Sequence, residues 1–166
     1  YEGKHVVVIG GGNSAVEESL FIAKFASKIT MIHQFDALTA NKEAQERLFA
    51  EPKIQVLFRH EPRAFVAHDG KVVDAVLVED LATGKQREIA VDGVFVFAGM
   101  QPNLEGLKDT FELDAWGYVK TDPEMHTNIP GVFAAGDVVS KRFRQMTTAV
   151  NDGTIASMAL STEMAS

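Results

Sequence analysis

Cysteine is absent from the 166 residues of the chain. The chain therefore carries no disulfide, no thiol nucleophile and no thiolate metal site. Positive charge is scarce: 16 Lys and Arg stand against 23 Asp and Glu, a net charge of -7. That balance argues against a nucleic-acid partner, which needs a basic face. Long apolar runs are missing as well. None approaches the ~20 residues of a membrane-spanning helix, so no membrane span is expected. No signal-peptide pattern is visible. An acidic chain can still bind an anionic nucleotide if glycine turns and helix ends act locally. The apolar fraction of 46% suffices for a core in one domain or two small ones.

What is present is organised around Val6-Val7-Val8-Ile9-Gly10-Gly11-Gly12-Asn13-Ser14-Ala15. A β-branched run meets a glycine turn, which opens into Val16-Glu17-Glu18-Ser19-Leu20-Phe21-Ile22-Ala23. This reads as strand, tight turn and helix, with small residues at the three places a dinucleotide fold demands. Gly10 permits the turn, Gly12 lets the backbone approach a pyrophosphate, and Ala15 lets the helix pack on the strand. A helix starting near Asn13 and Ser14 points its free N–H groups and positive dipole end at the phosphates. Glu17 and Glu18 fall in its first turns and read as dipole compensation.

The rest of the chain predicts an α/β fold. Strands are expected at residues 6–9, 28–33 and 54–58, with helices at about 13–26 and 40–49. An antiparallel meander follows at 63–68, 72–80 and 86–91, with turns at Asp69-Gly70 and Thr83-Gly84. A buried parallel strand at 94–98 ends at Gly99. Residues 1–99 thus read as a Rossmann-like dinucleotide-binding domain with an inserted β-meander. The Gly99-Met100-Gln101-Pro102-Asn103 break marks a boundary. Beyond it, strands at 117–121 and 132–135 and a helix at about 144–163 are expected, too little to bury a core of its own. Trp116 reads as a packing residue, and His60, His68 and His126 as surface histidines. A start at Tyr1 rather than Met reads as a region of a longer protein.

Three stretches occur in order: the glycine turn with its Val-Glu-Glu, the Gly-Met-Gln-Pro-Asn break, and Thr127-Asn128-Ile129-Pro130-Gly131-Val132-Phe133-Ala134-Ala135-Gly136-Asp137, followed by Arg144-Gln145-Met146. Together they resemble the C-terminal half of a low-molecular-weight thioredoxin reductase. The resemblance implies a NAD(P)H-binding domain at residues 1–99 and the C-terminal part of an FAD-binding domain at 100–166. It further implies electron flow from NAD(P)H through FAD to a Cys-x-x-Cys pair outside this chain, and on to a thioredoxin-like disulfide protein. No residue of this chain is then catalytic. A cytoplasmic homodimer is implied as well.

The resemblance also suggests roles, among them that one of Glu17 and Glu18 lies near the nicotinamide. Gly136 and Asp137 would meet the ribityl hydroxyls of FAD. Arg144 and Gln145, at the start of the last helix, would present N–H groups to the reduced flavin ring. Met146 is open between flavin contact and core packing. One stretch departs from the family. After the second strand the family has a His, two Arg and a third Arg, which bind the 2′-phosphate of NADPH. Here the stretch reads His33-Gln34-Phe35-Asp36-Ala37-Leu38-Thr39, without those arginines. The loss of charge-assisted bonds disfavours a 2′-phosphate. NADH is therefore favoured over NADPH, although His33 stands where a carboxylate usually ends the strand, and Asp36 reaches the ribose only if the loop bends back. A ferredoxin donor, or a nucleotide-binding sensor without redox turnover, stays open as an alternative.

Overall fold

A computed structural model describes residues 1–165. They form two compact units, Tyr1–Gly99 and a second that begins at Met100. In the first, β1 (His5–Ile9), α1 (Asn13–Ile22), β2 (Lys28–His33), α2 (Lys42–Ala50) and β3 (Ile54–Phe58) alternate. The chain then makes β4 (His60–Val66), β5 (Ala75–Asp80) and β6 (Gln86–Ala90), and returns as β7 (Gly93–Val96). Strands pair in parallel in the order β3-β2-β1-β7, while β4-β5-β6 is antiparallel.

The unbroken apolar run of β1 follows from burial on both faces. Val6 and Val8 pack with Ala15, Val16, Ile29, Met31 and Leu48 under the helices. Val7 and Ile9 pack with Ile32, Val76 and Val78 under the meander. The unit is thus three layers: helices, parallel sheet, meander. Tyr1 seals one edge, its ring meeting Phe95 edge-on at 5.3 Å.

Local chemistry shifts several boundaries. α1 ends at Ile22, not near residue 26. Lys24 and Phe25 donate to the Phe21 and Ile22 carbonyls at 3.2 and 3.0 Å, a tightened last turn, and Ser27 N–H already pairs with Lys4 O. α2 starts at Lys42 because the Asn41 side chain accepts the Ala44 N–H at 2.8 Å. β5 starts at Ala75 because the Asp69 carboxylate takes the N–H groups of Lys71 and Val72 into its turn. β7 runs over Gly93–Val96, and the Phe97 N–H still donates to Ile9 O at 2.7 Å.

The second unit corrects the expectation most. Residues 117–121 and 132–135 are not strands. Each makes isolated bridges only: Val119 with Leu113 and Val139, Phe133 with His126. Without a second paired residue no ladder propagates. A 3₁₀ turn (Gly136–Val138) leads to α3 (Met146–Met164), whose start lies two residues later than predicted. The buried apolar residues of this unit are Leu104, Val119 and Val139, none of them on α3. Trp116 does not pack: it is 80% exposed. Among the described residues no helix is long and apolar enough to cross a membrane, and no His, Cys, Asp and Glu grouping could hold a metal.

His126 is more than a surface histidine. Its ring lies 4.6 Å from that of Phe133, Nδ1 is 2.8 Å from Asp122, and Nε2 is 2.7 Å from Glu163 on α3. The Asp122 hydrogen bond, then that of Glu163, raises His126 above the ordinary histidine value. A raised folded-state pKa contributes stability that is complete below the unfolded value and is lost as pH rises through the folded one. Amide protection at residues 158–164, corrected for intrinsic exchange, should therefore fall from about pH 6 to about pH 9. His126→Gln should flatten that dependence. Equal protection across the range in the natural chain would contradict the linkage.

Candidate functional site

The carboxyl ends of the parallel strands converge on the glycine turn. It follows β1, where the strand order switches from β2 on one side to β7 on the other, the crevice in which open α/β sheets bind ligands. Gly10 has φ +136, and a Cβ there would collide with the Phe97 carbonyl and come within 3.1 Å of Ala15 Cβ. Only glycine lets β1, β7 and α1 meet so closely. Ala15 is fully buried in that contact.

Gly11 has a different reason. A Cβ there would lie 2.5 Å from Nδ1 and 2.7 Å from Nε2 of His33. The buried His33 ring occupies the space that a side chain on the turn would need. Its Nε2 donates to Ala37 O at 3.0 Å, and its ring meets Phe35 and Phe58 edge-on. Sequence reasoning missed Gly11, although its place in the middle of three consecutive glycines was the available signal.

Gly12 differs again. Its φ of -83° suits any residue, and a Cβ would meet only Thr39 Oγ1, at 3.8 Å. Neither backbone strain nor a neighbouring side chain requires glycine. α1 starts at Asn13 with no side-chain cap, and its first bond runs from Val16 N–H to Gly12 O. The N–H groups of Asn13, Ser14 and Ala15 precede that bond. An open approach beside an uncapped helix N-terminus can receive a phosphate without any cation. Glu17 and Glu18 lie beyond the first turn, where the dipole no longer reaches, so they do not compensate it.

The loop after β2 does bend back. Thr39 and Ala40 N–H donate to Gly11 O at 2.8 and 3.3 Å, and Asn13 Oδ1 accepts the Asn41 N–H at 2.8 Å. The Asn13 side chain is thus committed to α2, which leaves its backbone N–H for a ligand. His33 faces inward rather than toward a ribose. Gln34, Phe35 and Asp36 are exposed. The Asp36 carboxylate is held by Arg59 and sits below the usual carboxylate range for that reason. Arg59 was missed: it follows β3, and no local pattern joins it to the loop.

In the second unit the 3₁₀ turn is clamped from behind. Gly136, at φ +84, donates its N–H to the buried Asp152 carboxylate at 3.1 Å. Lys141 Nζ donates to the same oxygen at 2.6 Å and lies 3.8 Å from Asp137, whose carboxylate stays exposed. The Arg144 side chain is consumed locally. Its guanidinium stacks 3.5 Å from the Tyr118 ring centroid and donates to the carbonyls of Asp137 and Val139. Arg144 and Gln145 precede α3 rather than opening it. Gln145 is its cap residue, with its N–H on Thr148 Oγ1 at 3.0 Å. Met146, the first helical residue, is 83% exposed, which excludes core packing for it within this unit. Asp152 and Lys141 were not legible as partners of the turn.

Comparison with known proteins follows the same lines. The profile of the family described as pyridine nucleotide-disulphide oxidoreductase matches residues 2–153. A Clostridium pasteurianum relative, described as a 34.2 kDa protein in rubredoxin operon, is 47% identical over 158 residues, 95% of this chain and 51% of the relative. Treponema pallidum thioredoxin reductase is 46% identical over 96% of this chain and 51% of its own length. The crystal structure of Lactococcus lactis thioredoxin reductase superposes with a TM-score of 0.84 at 40% identity, over 97% of this chain and 53% of that one. The chain spans about half the length of the curated relatives it matches.

Two substitutions probe these arrangements. Gly11→Ala forces the His33 ring out of its place and should cost about 1–3 kcal/mol by overpacking. In the His33→Ala background most of that cost should vanish. A denaturant series on the four proteins reads the coupling, and an unchanged Gly11→Ala cost without the ring would refute the contact. Asp152→Ala leaves the half-buried Lys141 ammonium and the Gly136 N–H without their acceptor. It should destabilise the second unit by about 3 kcal/mol. A thermal midpoint within error of the natural protein would refute the clamp.

Proposed function

Because the chain belongs to the pyridine nucleotide-disulphide oxidoreductase family, we propose that it supplies two parts of a flavin-dependent disulfide reductase of the thioredoxin reductase kind. Residues 1–99 are its nicotinamide-nucleotide domain. Residues 100–166 are the C-terminal part of its flavin domain. The observation that carries the first assignment is Gly12: a glycine that the fold does not need, beside an uncapped helix N-terminus, at the switch point of a parallel sheet. A pyrophosphate gives that glycine its reason.

In this reading Gly10 and Ala15 bring the turn to its place. Gly12 and the N–H groups of Asn13, Ser14 and Ala15 bind the pyrophosphate. Gln34, Asp36 and Thr39 face the adenosine ribose, while His33 shapes the loop from inside. In the second unit, the outward carboxylate of Asp137 fits ribityl hydroxyls. The N–H groups at the start of α3, past Gln145 and Met146, fit negative charge on a flavin ring. The Arg144 guanidinium instead braces the turn that presents Asp137. A bound FAD would supply two-electron chemistry between the nicotinamide and a disulfide. With no cysteine in this chain, the redox pair belongs to the rest of the parent protein. That protein would act on a thioredoxin-like disulfide protein, as a cytoplasmic homodimer.

NADH is the preferred donor in this reading, because the loop 33–39 holds no lysine or arginine. Stopped-flow reduction of the full-length flavoprotein tests it. Flavin bleaching should be faster with NADH than with NADPH, and Gln34→Arg with Phe35→Arg should improve NADPH use. Faster bleaching by NADPH in the natural protein would overturn the preference. Bleaching by reduced ferredoxin alone would overturn the nicotinamide assignment.

A further inference from the structure

The loop after β2 lacks the cations of its own motif, yet the fold brings one to it from another strand. β2 and β3 pair in parallel with His33 opposite Phe58, so the residue after each strand meets the other. Arg59 N–H donates to Phe35 O at 3.3 Å, and Arg59 O accepts the Leu81 N–H at 2.8 Å. Its φ is +55, a conformation that non-glycine residues seldom adopt. Two backbone bonds on opposite sides hold it there. The side chain then turns onto the loop, with Nε on one Asp36 oxygen and Nη2 3.4 Å from the other.

Both partners are largely exposed. An exposed pair contributes little to stability, so folding alone does not account for a positive-φ arginine aimed at this loop. The pair lies at the carboxyl end of the sheet. The loop that carries Asp36 is anchored to the glycine turn at one end by the His33 ring and at the other by the Thr39 and Ala40 N–H groups. An acidic residue here binds ribose hydroxyls, and an arginine here accommodates a 2′-phosphate. This chain has both, bonded to each other.

Resting on the nicotinamide-nucleotide reading of this turn, we propose that the Asp36–Arg59 pair sets which nucleotide is accepted. Arg59 holds the Asp36 carboxylate in position to accept hydrogen bonds from the ribose hydroxyls of NADH. Asp36 in turn keeps the guanidinium from a 2′-phosphate. A phosphate dianion entering here meets a carboxylate first and must compete with it for the one arginine. The cation that the motif lacks is present but withheld.

The test uses the full-length flavoprotein and equilibrium titration with NAD⁺ and NADP⁺, which needs no turnover. The natural protein should bind NAD⁺ more tightly. Asp36→Asn should weaken NAD⁺ and strengthen NADP⁺ by about tenfold, the scale of one charge-assisted bond gained, and the gain should fade as salt is raised. Adding Arg59→Gln should abolish it. Arg59→Gln alone should weaken NAD⁺ without improving NADP⁺. Normal NAD⁺ and NADP⁺ binding with an unchanged ratio in Asp36→Asn would overturn the assignment alone. So would a gain that survives the loss of Arg59. Failure of the natural protein to bind either nucleotide would overturn the nucleotide reading, and this assignment with it.

Discussion

The head of the parallel sheet depends on how closely His33 approaches Gly11. The ring can lie there only because the turn has no side chain at that point. Once it does, its Nε2 fixes Ala37, and the Gly11 carbonyl collects the N–H groups of Thr39 and Ala40. Asn13 then reaches across to Asn41, the cap of α2. The glycine turn and the loop after β2 are therefore one object, tied at several points. This sets the candidate ligand surface: Gly12 and the uncapped start of α1 on one side, Gln34, Phe35 and Asp36 on the other.

What was legible in the sequence follows the physics of each element. β1, β2 and β3 were readable because burial on both faces demands continuous apolar runs, and nothing local competes with them. The turn was readable because close backbone approach leaves few residue choices at Gly10 and Ala15, and because Gly12 completes the spacing. Boundaries were less readable where a side chain intervenes. Asp69 captures two N–H groups and delays β5, and Asn41 caps and delays α2. In the second unit, short apolar stretches at 117–121 and 132–135 carry the composition of strands. A strand is a relation between segments, and here each makes isolated bridges only.

The site was legible in its backbone and hidden in its charges. Glycine spacing announces where a phosphate can approach. Nothing in residues 33–39 announces Arg59, which arrives through the β2–β3 register. Nothing near Asp137 announces Asp152, which arrives from the second turn of α3 to take the Gly136 N–H and the Lys141 ammonium. Arg144 shows the converse: the motif marks the residue, but not that its guanidinium meets the Tyr118 ring and two backbone carbonyls.

A common rule joins the two units. In each, the cations nearest the candidate ligand surface already have partners: Arg59 has Asp36, Lys141 has Asp152 and Asp137, and Arg144 has the Tyr118 ring. In the proposed reading, a chain of net charge -7 therefore meets anions chiefly with backbone N–H groups. Helix N-termini supply these at α1 and α3, and they suit a pyrophosphate or a delocalised ring charge that sits directly on the helix axis. They do not reach a phosphate placed to the side, on a ribose, where only a side-chain cation would serve. Under the proposed assignment, the scarcity of free positive charge thus becomes selective. The shared pyrophosphate of both nicotinamide nucleotides is accommodated by backbone, while the one phosphate that distinguishes them falls where the available guanidinium is already engaged.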